Sequence, residues 1–174
     1  MKKLTVAVAA LVTCLLLAPS RTTAADPDIR VVDLAGLDAA LAQHRGEAVL
    51  LNFWAIWCQP CVAELPELLE VAREYRGRGG VVLTVSYDLM VPEVTKDEVV
   101  KQMVGFVAAR KMDVPVLIYN AADYDAINQR FGLPGPIPMT IAIDRAGAVV
   151  ERHAGRAGKD KFTAMLRKGI GESR

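Results

Sequence analysis

Glu47–Cys61 reads EAVLLNFWAIWCQPC, and its two halves decide how the chain folds. Val49–Trp54 is a nearly unbroken apolar run, the pattern of a central strand covered on both faces. Trp57-Cys58-Gln59-Pro60-Cys61 then opens a helical run to about Arg76, which Gly77, Gly79 and Gly80 close. Two thiols three residues apart at a helix start sit about one turn from each other. Their Cα atoms then fall near the ~4.4–6.8 Å separation a disulfide needs. Cys58 lies where a helix leaves its N–H groups unpaired, and the positive end of the dipole stabilises a thiolate there. A free cysteine has a pKa near ~8.5, and such a setting lowers it enough to make Cys58 a nucleophile at neutral pH. Pro60 suits the first turn, where its missing N–H would go unpaired anyway. This is the spacing of a reversible dithiol/disulfide redox centre.

Two other readings fit a C-x-x-C pair. Half of a zinc site would need two further ligands, and the sequence offers only His44, His153 and Cys14, each isolated. A purely structural disulfide closing so short a loop contributes little chain-entropy stabilisation.

Working outward toward the N-terminus, Met1-Lys2-Lys3 precedes an apolar run from Leu4 to Ala18, followed by Pro19-Ser20 and Thr22-Thr23-Ala24-Ala25. A basic start, about fifteen apolar residues and small residues at a cleavage point define a secretory signal over residues 1–25. The remainder, 26–174, is then one domain. An uncleaved anchor is the alternative, although the run is shorter than the ~20 residues of a spanning helix. Cys14 within it also raises lipidation, but Thr13 stands where a small Gly, Ala or Ser is usual. After cleavage Cys58 and Cys61 are the remaining cysteines, to pair with each other or with a partner's thiol in an oxidising compartment. The net charge is +1; setting aside the cations Lys2, Lys3 and Arg21 leaves −2, which does not suggest a nucleic-acid partner.

The rest alternates strands and helices. Ile29–Leu34, Val81–Tyr87, Val114–Asn120, Met139–Asp144 and Ala148–Ala154 read as strands, the last two as a hairpin through Ala146-Gly147. Leu37–Gln43, Asp97–Lys111, Tyr124–Phe131 and Gly158 to about Ile170 read as helices. In Asp97–Lys111 the buried stripe is expected at Val100, Val104 and Val107 or Ala108. Pro66 is expected to kink the helix that starts at Cys58, and residues 88–96 to form a loop. The sum is a three-layer α/β sandwich around a central mixed sheet.

The run Leu50–Cys61, LLNFWAIWCQPC, with Val62-Ala63-Glu64-Leu65-Pro66 after it, resembles the thioredoxin superfamily, most closely its TlpA/ResA-like exported thiol–disulfide oxidoreductases. The likeness runs from about Asp28 to about Ile170. It implies a thioredoxin-like fold with an extra N-terminal strand and an insert around residues 88–120. It also implies that Pro138, in Ile137-Pro138-Met139-Thr140, carries a cis bond and lies against the disulfide. The backbone of Ile137 would then be open to pair with an extended client segment. Pro136 is an extra residue relative to the usual family spacing. Glu64 corresponds to a glutamate that lies near the thiols in ResA-like proteins. It is placed on the face of Cys61 by its spacing, as a proton partner or as an ordinary solvated helix residue. Asn52 stands where thioredoxins proper carry a buried aspartate and cannot titrate, so acid–base work passes to Glu64 or water. Trp57 shields the thiols or forms a contact surface, and Trp54 belongs to the core.

The expected activity is thiol–disulfide exchange, run as a reductase. Cys58 thiolate attacks a client disulfide, a mixed disulfide forms, and Cys61 displaces the reduced client. No metal or organic cofactor is required. By resemblance, clients include the haem-binding cysteines of apocytochrome c. Electrons come from a membrane thiol-transfer protein of the DsbD/CcdA kind, the protein acting outside the cytoplasm as a monomer. A disulfide oxidant or isomerase shares the chemistry. A binding module that holds a partner or copper would need a soft third ligand, and a peroxidase would need a polar pocket where Trp57 stands.

Overall fold

The computed structural model describes residues 27–120 and 124–172. The segment read as a signal, Cys14 included, lies outside the described residues. Six strands form one mixed sheet in the order β1-β4-β3-β2-β5-β6. They are β1 (Ile29–Val32), β2 (Ala48–Trp54), β3 (Gly80–Ser86), β4 (Val116–Tyr119), β5 (Met139–Ile143) and β6 (Val149–Ala154). β1, β4, β3 and β2 run parallel, while β5 is antiparallel to β2 and β6 to β5. Helices α1 (Leu34–Ala42), α2 (Gln59–Tyr75), α3 (Lys96–Arg110), α4 (Asp125–Phe131) and α5 (Lys159–Ile170) supply the outer layers. None of the described helices is long and apolar enough to cross a membrane.

Strand alternation divides the core in two. Leu50, Trp54, Val82, Val116, Ile118 and Ala142 point toward α2, α3 and α5. Val49, Leu51, Phe53, Leu83, Val85, Leu117 and Ile141 point toward α1 and α4. Every residue of β2 is buried, because this strand is flanked on both edges and covered on both faces. Burying a side chain such as Leu50 or Phe53 contributes roughly 1.5–3 kcal/mol, so the strand that leads into the cysteines is among the most firmly held parts of the chain. At the helix–sheet contact of α5 the approach is close: a Cβ on Gly169 would lie 3.0 Å from both the Ala48 Cβ and the Ile143 carbonyl oxygen.

Three local expectations are corrected. The buried stripe of α3 is Val99, Met103 and Val107, with Val104 exposed and Val100 only half-buried. Both stripes have helical spacing, and it is the Val99–Met103–Val107 stripe that packs into the core on the α2 side of the sheet. Residues 88–96 are not all loop, since Asp88–Met90 make a 3₁₀ turn. β4 begins at Val116, after Pro115, whose carbonyl accepts from both the Thr84 N–H and the Thr84 hydroxyl. The segment from this turn through α3 to β4 forms the expected insert, and β4 enters the sheet between β1 and β3. α2 continues as one helix through Pro66, an exposed position.

Candidate redox site

The site lies where the parallel strands end, the position at which open α/β sheets hold their functional groups. β2 stops at Trp54, and the Cys58 N–H donates to the Ala55 carbonyl (3.1 Å), closing a tight turn with Ile56 and Trp57 at its apex. Cys58 is the N-cap of α2, extended at φ −86° and ψ 95°, and makes no side-chain cap bond. The chain therefore turns into the helix with Cys58 at its N-terminal end, where the first amides have no intrahelical partner. Cys58 and Cys61 are joined in a disulfide with Cα atoms 5.3 Å apart. Cys58 retains 6% exposure and Cys61 none, so an incoming disulfide meets Cys58 first. Trp57 is 52% exposed on the rim and Trp54 fully buried, its ring tilted against that of Phe106 with centroids 5.4 Å apart.

Glu64, one turn beyond Cys61, is fully buried. Its Oε1 accepts from the Asn52 amide at 2.8 Å and its Oε2 from the Ala157 N–H at 2.8 Å. The Asn52 amide also donates to the Thr140 hydroxyl at 3.0 Å. Thr140 and Thr84 are the residues paired with Asn52 on β5 and β3, so a polar stripe crosses the sheet beneath α2. Burial pushes the Glu64 carboxyl above its ordinary range, partly countered by the two N–H donors and by the positive potential of His153 and Arg156. The solvated-helix reading of Glu64 therefore does not hold. Asn52, read as a residue that cannot titrate, has a second role as the amide that grips the acid on the neighbouring helix.

The Ile137–Pro138 peptide is cis, and Pro138 is buried just ahead of β5. Because Met139 pairs with Phe53, Pro138 sits beside the end of β2 from which the cysteine turn emerges. Its carbonyl accepts from the Gly155 N–H at 2.9 Å, and Ile137 is half-buried against both cores. The zinc alternative finds no support in arrangement: among the described residues no three His, Cys, Asp or Glu side chains gather as a metal site. His44 pairs with Glu47, and the His153 ring meets the Arg156 carbonyl.

Sequence reasoning missed Asp88. This carboxylate is 4% exposed and lies beside the cysteine turn on the β3 side. Both its oxygens accept from the Ile56 N–H at 3.1 Å, and Oδ2 accepts from the Ser86 hydroxyl at 2.6 Å. Burial raises its pKa, and the bonds from Ser86 and Ile56 oppose the rise. Beside it Tyr87, Tyr119 and Tyr124 pack ring against ring, and burial pushes the Tyr124 hydroxyl up to about 12. The available signal was position: an acid two residues past the end of a strand adjacent to β2.

Comparison with known proteins agrees with this geometry. The AhpC/TSA family profile matches residues 23–152. A thiol-disulfide oxidoreductase ResA of Bacillus thuringiensis is 32% identical over 142 residues, covering 82% of this chain and 75% of the relative. The thioredoxin-like protein YneN of Bacillus subtilis is 29% identical over 140 residues, covering 80% and 75%. Among solved structures, the exposed lipoprotein thioredoxin of Streptococcus pneumoniae superposes with a TM-score of 0.60 at 29% identity, over 74% of this chain and 89% of that one. With its paired cysteines at the start of α2 and its thioredoxin-like sheet, the chain belongs to the AhpC/TSA family, among the ResA-like thiol–disulfide oxidoreductases.

Proposed function

We propose that this protein works outside the cytoplasm as a reductase of client disulfides, with apocytochrome c among its clients. One observation carries the reading: Cys58 at a helix N-terminus keeps a small exposed surface and is bonded to a fully buried Cys61, with a buried acid one turn further on. In the reduced protein the Cys58 thiolate attacks one sulfur of the client disulfide and the other leaves as a thiolate. Cys61 then gives up its proton, its sulfur attacks the Cys58 sulfur, and the second client thiolate departs. Two electrons pass to the client, and the Cys58–Cys61 disulfide forms. Glu64 is the acceptor proposed for the Cys61 proton; burial moves its pKa toward working pH, where a general base acts best. Trp57 and the Ile137 backbone provide the client surface. A membrane thiol-transfer protein of the DsbD/CcdA kind returns the enzyme to its dithiol state, completing the cycle. The basic, apolar and small-residue segments of residues 1–25 support export, and a relative named thiol-disulfide oxidoreductase ResA supports thiol–disulfide exchange.

The test is insulin reduction driven by dithiothreitol, together with the reduction potential measured against glutathione. The reading expects catalysis by the wild type, none by a folded Cys58→Ser variant, and a potential at the reducing end, near that of thioredoxin at about −270 mV. A potential near −120 mV would make the protein an oxidant.

A further inference from the structure

We propose that Asp88 is a positioning residue for Cys58, pinning the turn that delivers the sulfur to the helix N-terminus. The turn from Ala55 to Cys58 is closed by its own hydrogen bond, and Ile56 is its first central residue. Such a turn projects its central N–H groups outward, where they need partners. Trp57, the second central residue, is exposed, whereas the Ile56 N–H points inward onto both oxygens of Asp88. Asp88 is itself held. Ser86 donates its hydroxyl to Oδ2 and accepts the Asp88 N–H at 3.1 Å, while the Tyr87 N–H bonds the Trp54 carbonyl at 2.8 Å. The end of β3 and the end of β2 are thereby fastened together on either side of the cysteine turn. A buried carboxylate is costly unless its oxygens are bonded, and each bond Asp88 makes leads toward this turn or toward its own strand.

Asp88 touches neither thiol, so it acts through geometry. Without it the Ile56 N–H is left unpartnered, the turn loosens, and Cys58 drifts from the amides that stabilise its thiolate. The sign of the effect separates geometry from charge. Deleting a nearby negative charge alone would make the Cys58 thiolate easier to form, whereas releasing the turn makes it harder.

The proposal rests on Cys58 as the attacking thiol, and its test has a readout that needs no client. Reduced full-length wild type, Asp88→Ala, Asp88→Asn and Ser86→Ala are compared by iodoacetamide labelling of Cys58 across pH and by single-turnover reduction of a model disulfide. All are measured at a temperature where circular dichroism shows a folded chain. The asparagine variant keeps an acceptor for the Ile56 N–H and a hydrogen-bonding group for Ser86 while removing the charge. Asp88→Ala is expected to raise the labelling midpoint and slow single-turnover reduction about tenfold, the scale of a modest misplacement of a reacting group. Asp88→Asn should restore the rate to within about threefold of wild type, and Ser86→Ala should fall between them. A folded Asp88→Ala with unchanged labelling and rate overturns the proposal. So does Asp88→Asn impaired as badly as Asp88→Ala, or a labelling midpoint that falls in Asp88→Ala. Should Asp88→Ala fail to fold, Ser86→Ala at wild-type rate overturns it. A wild type that labels at Cys58 yet reduces no disulfide would instead refute the reductase reading, leaving the labelling comparison to decide on Asp88.

Discussion

Replacing Glu64 by Gln removes one titrating group and leaves the shape of α2 unchanged. Glu64 accepts two buried N–H bonds, from Asn52 and Ala157, each at 2.8 Å. A glutamine offers one oxygen and one NH₂, so only one of those donors keeps its acceptor. Rotation of the Asn52 amide accommodates the change: its buried Oδ1, which has no hydrogen-bond partner, would turn toward the new glutamine and accept from its NH₂. The Asn52 NH₂ is then the group left unbonded, at a cost of about 1–3 kcal/mol. That is smaller than the stability of an ordinary domain, about 5–15 kcal/mol, so the variant should fold. The pH dependence should change more than the stability. Burial raises the Glu64 pKa, so the folded chain holds this proton more tightly than the unfolded chain, where the value is near 4.5. The stability due to the proton is fully present below pH 4.5 and is lost as pH rises through the folded pKa. Urea midpoints between pH 4 and 8 should therefore show wild type losing ground to Glu64→Gln as pH climbs. Single-turnover reduction across pH 5 to 9 should show the Cys61 step losing an inflection in the variant while Cys58 attack is retained. Superimposable rate profiles would refute Glu64 as the proton acceptor and assign that role to water.

Three further outcomes follow from the geometry. Alkylation of the reduced protein near neutral pH should label Cys58 well before Cys61, as peptide mapping by mass spectrometry would show; faster labelling of Cys61 would reverse their roles. Gly169→Ala should destabilise by about 1–3 kcal/mol in denaturant titration, because its Cβ would press at 3.0 Å on the Ile143 backbone, and an unchanged midpoint would mean that α5 moves freely. Trp57→Ala should leave the urea midpoint nearly unchanged, since the ring is 52% exposed, yet slow attack on a protein disulfide more than on a small one. Equal effects on both substrates would deny Trp57 a contact role.

What the sequence disclosed divides along the range of the interactions. Val49–Trp54 and the Cys58–Cys61 helix start were legible because each is a local pattern: an apolar run, two thiols one turn apart, a proline in the first turn. The state of Glu64 was not, because its burial depends on Asn52, 12 residues away, and on Ala157, 93 residues away. Spacing put Glu64 on the face of Cys61 but could not say that a sheet residue and a distant loop would close over it. Asp88 was passed over for the same reason, since its partner Ile56 lies 32 residues earlier. In α3 the periodicity and the burial of Val107 were read correctly, but the other two stripe positions were one residue out of phase. Val99 and Met103 compete with Val100 and Val104 at equal spacing, and a flexible methionine filling the core carries less weight in an apolar pattern than a valine.

The central claim is that Cys58 attacks and Cys61 resolves within one exchanging pair. Its most direct measurement is the covalent intermediate. Reduced Cys61→Ser protein mixed with a disulfide-bonded peptide should accumulate a one-to-one adduct through Cys58, detected by intact mass and released by dithiothreitol. Cys58→Ser should form none, and wild type should end as the free Cys58–Cys61 disulfide with two moles of peptide thiol. An adduct through Cys61 in Cys58→Ser at the rate seen in Cys61→Ser, or no adduct in either variant, would contradict the account.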